Sequence, residues 1–297
     1  LKDTQVVKAK LKAEMDAFLK ANMEGSSFPD FDINDIKYDP KTQAVELKVD
    51  YSFETSFMKI AGLDEIEGSV ETGVIIHKEA QQSLSMALVL DKSGSMNSSG
   101  TWNWNGYKWV YTPGEHRMTA LKNAVAGMTA EFDKNDPDKK YVRTGAVAYS
   151  SSVYGFTKMN WGTAHVNQFT QSLHPSGGTD SSGAMNKAYN FLKGKKEEKQ
   201  HAKKNEGNPK KYILFMTDGA NNYSSADTKT LKTCNKAKKN NITIYTVAFQ
   251  APQQGQNLLK ACASSENHYF NATNSEELIS VFQHIGEEAA KQLAIVK

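Results

Sequence analysis

Residues 85–95 read Ser85-Met-Ala-Leu-Val-Leu90-Asp91-Lys-Ser93-Gly-Ser95. The stretch up to Leu90 is an almost unbroken apolar run, the pattern of a strand covered on both faces. It then changes at once to carboxylate, hydroxyl and glycine. Three further runs are apolar throughout or nearly so: Val142–Tyr149, Tyr212–Met216 and Ile242–Phe249. Between the runs the apolar residues recur at helical spacing. Leu121, Val125, Met128 and Phe132 mark one face of a helix over about 118–134, and similar patterns fall near 180–193, 226–239 and 254–263. A final helix, about 275–293, has Asn274 as cap with Glu277 three residues on, and Leu278, Phe282, Ile285 and Ala289 as its stripe. Strands alternating with helices predict an α/β domain over 83–297, with a mainly parallel, doubly wound sheet flanked by helices.

Such sheets bind ligands in the crevice at the carboxyl ends of their strands. Three polar clusters fall at such ends or in neighbouring loops. Asp91-Lys-Ser93-Gly-Ser95 follows the first strand, Gly177-Gly178-Thr179-Asp180 precedes a helix, and Thr217-Asp218-Gly219 follows the strand Tyr212–Met216. Any one alone is a weak signal, since Asp, Ser and Gly after a strand usually make only a turn. Together, Ser93, Ser95 and Thr179 offer hydroxyls, and Asp91 and Asp218 offer carboxylates. All are hard oxygen donors, suited to Mg²⁺, Mn²⁺ or Ca²⁺ and ill suited to zinc or copper. With so few charges the ion stays underneutralised. An outward position is left for an acidic side chain from a partner.

Upstream, 1–82 has a different character. Val7, Leu11, Met15 and Phe18 suggest an amphipathic helix over 1–23. Val45, Leu47, Val49, Tyr51 and Phe53 alternate with polar residues, as in a half-buried strand, and Ile36–Tyr38 would pair with it across Asp39-Pro40-Lys41. A second alternating run carries Ile66, Val70, Val74 and Ile76. The expectation is a helix plus a small antiparallel β segment.

Bulk properties exclude several classes. A net charge of +3 implies neither nucleic acid nor an anionic membrane as partner. The lysine run at 193–211 is interrupted by glutamates and lacks aromatics, and reads as a solvated surface insertion. No segment approaches the ~20 apolar residues of a spanning helix. The chain begins at Leu1 without a signal peptide, so a processed or trimmed product is expected, with any membrane anchor upstream. The histidines, among them His116, His165, His174 and His268, lack ligand spacing, and Walker, GxGxxG and GxSxG motifs are missing. Cys234 and Cys262 are the two cysteines. They fit either free core thiols or one disulfide, the latter worth roughly 3–4 kcal/mol for a loop of this size.

At the three clusters the chain resembles a von Willebrand factor type A (VWA) domain. Asp91, Ser93, Ser95, Thr179 and Asp218 match that family's metal-ion-dependent adhesion site position by position. The resemblance covers roughly 83–297 and implies a Rossmann-like fold, a bound Mg²⁺ (or Mn²⁺ or Ca²⁺), and a binding protein with no catalytic residues. It also implies that Ser93 and Ser95 ligate directly and Asp91 mainly through water, while Thr179 and Asp218 exchange between the two modes. A helix, a short β segment and a VWA domain ending in CxSSxNHYFNATNSEELISVFQHIG (Cys262–Gly286) resemble TadG-like proteins of bacterial tight-adherence (Flp) pilus systems. That likeness implies a periplasmic or cell-surface location, an upstream membrane helix, pilus or envelope components as partners, and the Cys234–Cys262 disulfide.

Between Ser95 and the next helix lies an insertion, Asn97–Arg117, with Trp102, Trp104, Tyr107, Trp109 and Tyr111. Its alternation suggests a hairpin turning at Asn105-Gly106. It stands either as an aromatic wall contacting the partner or as a self-packed cover for the sheet edge. Two other functional readings remain in play: a metal-dependent hydrolase with Asp180 or His116 as base, and a structural scaffold with a vestigial site.

Overall fold

The computed structural model describes residues 12, 13, 17, 30–39, 44–54, 62, 64–75, 83–204 and 208–291. The helix expected over 1–23 lies outside them, apart from Lys12, Ala13 and Ala17, which are helical. Ile76 lies outside them too. The chain divides into two compact units, 1–78 and 79–297.

The first unit is a three-stranded antiparallel sheet in the order β1-β2-β3, formed by β1 (Asp30–Asp39), β2 (Ala44–Glu54) and β3 (Glu65–Ile75). Ile36 lies opposite Leu47 and Tyr38 opposite Val45, as the hairpin reading requires. Across β2 and β3 the register sets Val45 against Val74, Val49 against Val70 and Phe53 against Ile66. That register pairs apolar positions of the sequence. Ile66 and Val70 nevertheless stay 37% and 53% exposed.

The second unit is a six-stranded sheet in the order β11-β10-β9-β4-β7-β8. Its strands are β4 (Leu84–Asp91), β7 (Val142–Tyr149), β8 (Val153–Trp161), β9 (Lys210–Thr217), β10 (Ile242–Phe249) and β11 (Tyr269–Ala272). β5 (Ser99–Trp104) and β6 (Trp109–His116) form a separate hairpin. Every pairing in the six-stranded sheet is parallel except that of edge strand β8 with β7. The helices are α1 (Arg117–Asn135), α2 (Ala164–Gln171), α3 (Ser182–Leu192), α4 (Lys196–Ala202), α5 (Ser224–Lys239), α6 (Gln253–Cys262) and α7 (Ser275–Ala290).

The apolar run that opened the sequence is explained by its two neighbours. Leu84, Met86, Leu88 and Leu90 of β4 pack with residues of α1 and α7, while Ala87 and Val89 pack with residues of α3, α5 and α6. Successive side chains point to opposite faces, and both faces are covered by helices, so no polar alternation is tolerated. At α7 the expected cap is present: Glu277 N donates to Asn274 Oδ1 at 2.9 Å, and Glu277 Oε2 accepts from Thr273 N at 2.7 Å.

The reading of 193–211 as a solvated insertion is corrected. Glu197 and His201 of α4 are 3% and 0% exposed. Ser85 of β4 donates its hydroxyl to Glu197 Oε2 at 2.9 Å, and its Oγ lies 3.0 Å from His201 Nε2. Arg143 of β7 donates Nε to Glu197 Oε2 at 2.8 Å. These contacts pin the segment to the sheet. A lysine-rich sequence hides such an anchor because only two of its side chains are needed to make it. Among the described residues no helix is long and apolar enough to cross a membrane.

Candidate metal centre

β4 and β9 are adjacent and parallel, with Leu90 opposite Met216. Asp91 therefore finishes its strand beside Thr217, and Asp218 starts the loop beyond. Asp91 is fully buried. Its Oδ1 accepts the Ser93 N–H at 2.7 Å and its Oδ2 accepts the Thr217 hydroxyl at 2.5 Å. The Tyr149 phenol of β7 lies 3.5 Å from the same Oδ2. Burial, and then the charge of Asp218, push the Asp91 carboxyl up to about 6 against the pull of its hydrogen bonds from Ser93 and Thr217. Asp91 itself accepts only from neutral donors.

A 3-10 turn over Gly94–Asn97 carries Ser95. Ser93 Oγ and Ser95 Oγ are 3.0 Å apart, and Ser95 Oγ donates to Asp218 Oδ1 at 2.7 Å. The Gly177–Asp180 cluster is drawn in through backbone. Gly94 N donates to Gly177 O at 2.9 Å and Ser176 N to Lys92 O at 2.8 Å. Gly177 has φ +82°, open to glycine at little cost. The Lys92 ammonium bonds Ser176 Oγ at 2.6 Å and lies 4.0 Å from the centre of the Tyr154 ring.

Thr179 is fixed by residues that the sequence reading missed. Asn222 accepts the Thr179 N–H on its side chain and donates its own N–H to Thr179 O at 2.9 Å. Asn221 Oδ1 accepts Ser181 N at 2.8 Å, and its Nδ2 donates to Asp227 Oδ1 at 2.7 Å. The paired asparagines Asn221-Asn222, one residue beyond Thr217-Asp218-Gly219, were the available signal. They stitch the second and third loops together. A Cβ added at Gly219 would lie 3.7 Å from Thr179 Oγ1 and 3.8 Å from Ser95 Oγ, so both hydroxyls surround one point above that glycine.

All five expected residues thus meet at the carboxyl end of the sheet. A sixth group joins them. Arg117, the first residue of α1, donates Nη1 to Asp218 Oδ2 at 2.8 Å and Nε to Gln250 Oε1 at 2.9 Å. Among the described residues no cluster of three or more His, Cys, Asp and Glu is suited to a metal. Any cation here must therefore draw on hydroxyls. The donor set fits a hard divalent ion: two carboxylates and three hydroxyls, with no sulfur or imidazole.

The two candidate bases are engaged elsewhere. Asp180 Oδ1 accepts Ser182 N at 2.9 Å and Ser182 Oγ at 2.6 Å, at the start of α3. His116 Nδ1 lies 3.0 Å from Asn97 O. The insertion does form a hairpin, with Trp104 opposite Trp109 and residues 105–108 as its loop. The Asn105 side chain accepts from Tyr107 N and Lys108 N, and Gly106 has φ +97°. Tyr107 is 92% exposed at the tip. The Tyr111 hydroxyl donates to Ser99 O within the hairpin. The side chains of Trp102, Trp104 and Trp109 lie outside the described set.

Cys234 of α5 and Cys262 of α6 form a buried disulfide, with Cα atoms 5.3 Å apart. A structural disulfide of this kind belongs to an oxidising compartment.

Comparison with known proteins agrees with the fold. Residues 85–284 match the model of the von Willebrand factor type A domain. No curated protein matches the chain in sequence. The pilus adhesin SpaC of Lactobacillus rhamnosus GG superposes with a TM-score of 0.57 at 15% identity, over 91% of this chain and 36% of its own. The vWF domain of the type V pili tip protein Mfa5 of Porphyromonas gingivalis gives 0.54 at 16%, over 73% and 98%. Proximal thread matrix protein 1 of the mussel byssus, with a zinc-occupied MIDAS motif, gives 0.52 at 16%, over 71% and 46%. The chain spans about a third of the SpaC structure's length. At these identities the likeness is one of fold.

Proposed function

The chain belongs to the von Willebrand factor type A domain family, and from that premise we propose that it is an adhesion or assembly module, not an enzyme. Asp91, Ser93, Ser95, Thr179 and Asp218 hold a divalent cation, Mg²⁺ first, with Mn²⁺ or Ca²⁺ as substitutes. The bound ion supplies an open electrophilic position for a carboxylate of a protein partner.

The observation that carries this reading is the meeting of Ser93, Ser95 and Asp218 across two loops, with 3.0 Å and 2.7 Å between their oxygens and Asp91 buried behind them. Such a pairing of hydroxyls with few carboxylates suits an ion meant to accept one further anion. The hydrolase reading is weakened because Asp180 is bonded to Ser182 at the start of α3 and His116 is held by Asn97. Pilus adhesins and tip proteins among the similar folds support a pilus or envelope component as partner, within or near a TadG-like tight-adherence system. The disulfide supports a periplasmic or surface location. The aromatic hairpin, including Trp102, Trp104, Tyr107, Trp109 and Tyr111, contacts that partner, since Trp and Tyr dominate binding hot spots.

Calorimetric titration of Mg²⁺ and Mn²⁺ into the wild-type and Asp91→Ala proteins tests the site. Equal heats in both would refute it and leave a scaffold with a vestigial cluster. Capture of an envelope partner should disappear with chelator and weaken when Trp104 and Trp109 are both alanine. Capture indifferent to both treatments would separate binding from the site and from the hairpin.

A further inference from the structure

At the sheet edge, β8, α3 and α4 line a groove of about 470 Å³ that shares no described residue with the metal cluster. Its floor is apolar: Phe156, Met159 and Phe191, with the two phenyl rings 6.1 Å apart and Phe156 41% exposed. Its rim is basic. Lys158, Lys187, Lys196, Lys199 and Lys203 line it, and Glu197 is the one acid among its described lining residues. That acid is already neutralised by Arg143 at 2.8 Å.

The lysines are not there by accident of a floppy insertion. Glu197 and His201 anchor α4 to Ser85 and Arg143. Trp161 of β8 packs edge-on against His201, with centroids 4.9 Å apart. With that face of α4 buried, Lys196, Lys199, Gln200 and Lys203, spaced three, four and seven residues from the first, form the stripe that the groove receives. Five lysines around an apolar trough, with the nearby acid already paired to Arg143, leave a surplus of positive charge.

We infer that this groove binds an acidic segment of a protein partner, whose carboxylates meet the lysine rim while an aromatic or aliphatic side chain packs onto the paired Phe156 and Phe191 rings. Charge complementarity selects the acid. The apolar floor selects an amphipathic chain over a purely charged one. Pairing as an added strand is not the mode, because β8 carries two register shifts against β7, a device that blunts strand edges. Base stacking is also disfavoured, because the Lys187 ammonium sits 3.8 Å from the centre of the Phe156 ring.

The groove runs along β8 from Met159, whose carbonyl accepts from Arg143 Nη2 at 3.0 Å, to Phe156, which lies opposite Val147. None of its described lining residues is one of the five oxygen donors of the metal cluster.

Fluorescence anisotropy on the full chain tests the inference. The probe is a labelled ten-residue peptide alternating Glu with Phe and Val. Comparison probes are its Lys-for-Glu counterpart, a decaglutamate, phosphatidylglycerol vesicles and a single-stranded oligonucleotide. Expected results are saturable binding of the Glu/Phe/Val peptide, unchanged by chelator. Affinity should fall at least tenfold in the Lys196→Glu/Lys199→Glu/Lys203→Glu variant and severalfold in Phe156→Ser. Unchanged affinity in the triple variant overturns the proposal, as does stronger binding of decaglutamate, vesicles or oligonucleotide than of the peptide. All three substituted lysines are exposed, so circular dichroism should show native folding. Because chelator removes only the metal-dependent contact, failure here leaves the adhesion-site reading standing, and the reverse also holds.

Discussion

The Arg117 guanidinium donates to Asp218 Oδ2 at 2.8 Å while the Ser95 hydroxyl donates to Asp218 Oδ1 at 2.7 Å. Both oxygens of one carboxylate are thus claimed, one by a cation and one by a neutral hydroxyl. The guanidinium is a built-in competitor for any metal at this site. Two positive charges ~5 Å apart repel by a few kcal/mol at a partly buried site. Arg117→Gln should therefore tighten Mg²⁺ or Mn²⁺ binding by roughly tenfold to a hundredfold, read by calorimetry. Weaker binding instead would show that Arg117 mainly holds the loop in place.

Gly255 of α6 faces the Asp218 loop so closely that an added Cβ would fall 2.2 Å from Gly219 O. Backbone cannot yield as a side-chain tip can. Gly255→Ala should lower stability by about 1–3 kcal/mol, since overpacking forces backbone shifts. It should also weaken metal binding, because the loop carrying Asp218 must move. Thermal unfolding with and without Mg²⁺ separates the two effects. Full stability with lost metal affinity would put the change in the loop alone.

His201 supplies a pH dependence remote from the metal cluster. Burial, and then the charge of Arg143, push its imidazole down to about 4. The folded value lies below the ordinary one near 6.5, so the neutral ring is what the fold accepts. This contribution to stability is complete above pH 6.5 and is lost as pH falls through about 4. Urea unfolding between pH 7 and pH 4 should lose about 2–3 kcal/mol from this group, and His201→Gln should flatten that slope. An unchanged slope would assign the acid sensitivity to carboxylates elsewhere.

The Cys234–Cys262 bridge closes a sequence separation of 28 residues between α5 and α6. Replacing both cysteines with serine should cost about 3–4 kcal/mol. Guanidinium unfolding of the oxidised, reduced and Ser/Ser proteins checks this. Reduced and oxidised proteins of equal stability would remove the bridge from the fold's support.

Much of this was legible in the chain. The apolar runs mark the four central strands because a strand buried on both faces leaves no room for alternation. The five oxygen donors were legible because each sits where a strand ends or a helix begins. Arg117 was not, because its role depends on the length of the hairpin that precedes it. Asn221 and Asn222 were hidden by chemistry common to all turns. β8 escaped because Tyr154 and Phe156 stand on its exposed face, so its regular alternation in burial is not an alternation of apolar with polar residues. α4 escaped because Glu197 and His201, both ordinarily exposed types, make its anchor.

The hairpin leaves the domain just after Ser95 and returns at Arg117, and its stem is closed by Arg117 N donating to Ser98 O at 3.0 Å. Ser95 and Arg117 are also the two side chains that grip Asp218. A pull on the hairpin tip is therefore delivered to both sides of one carboxylate at once. Those two bonds act as parallel clasps sharing the tension. Movement of the hairpin stem and the hold on the Asp218 carboxylate are thus tied through Ser95 and Arg117.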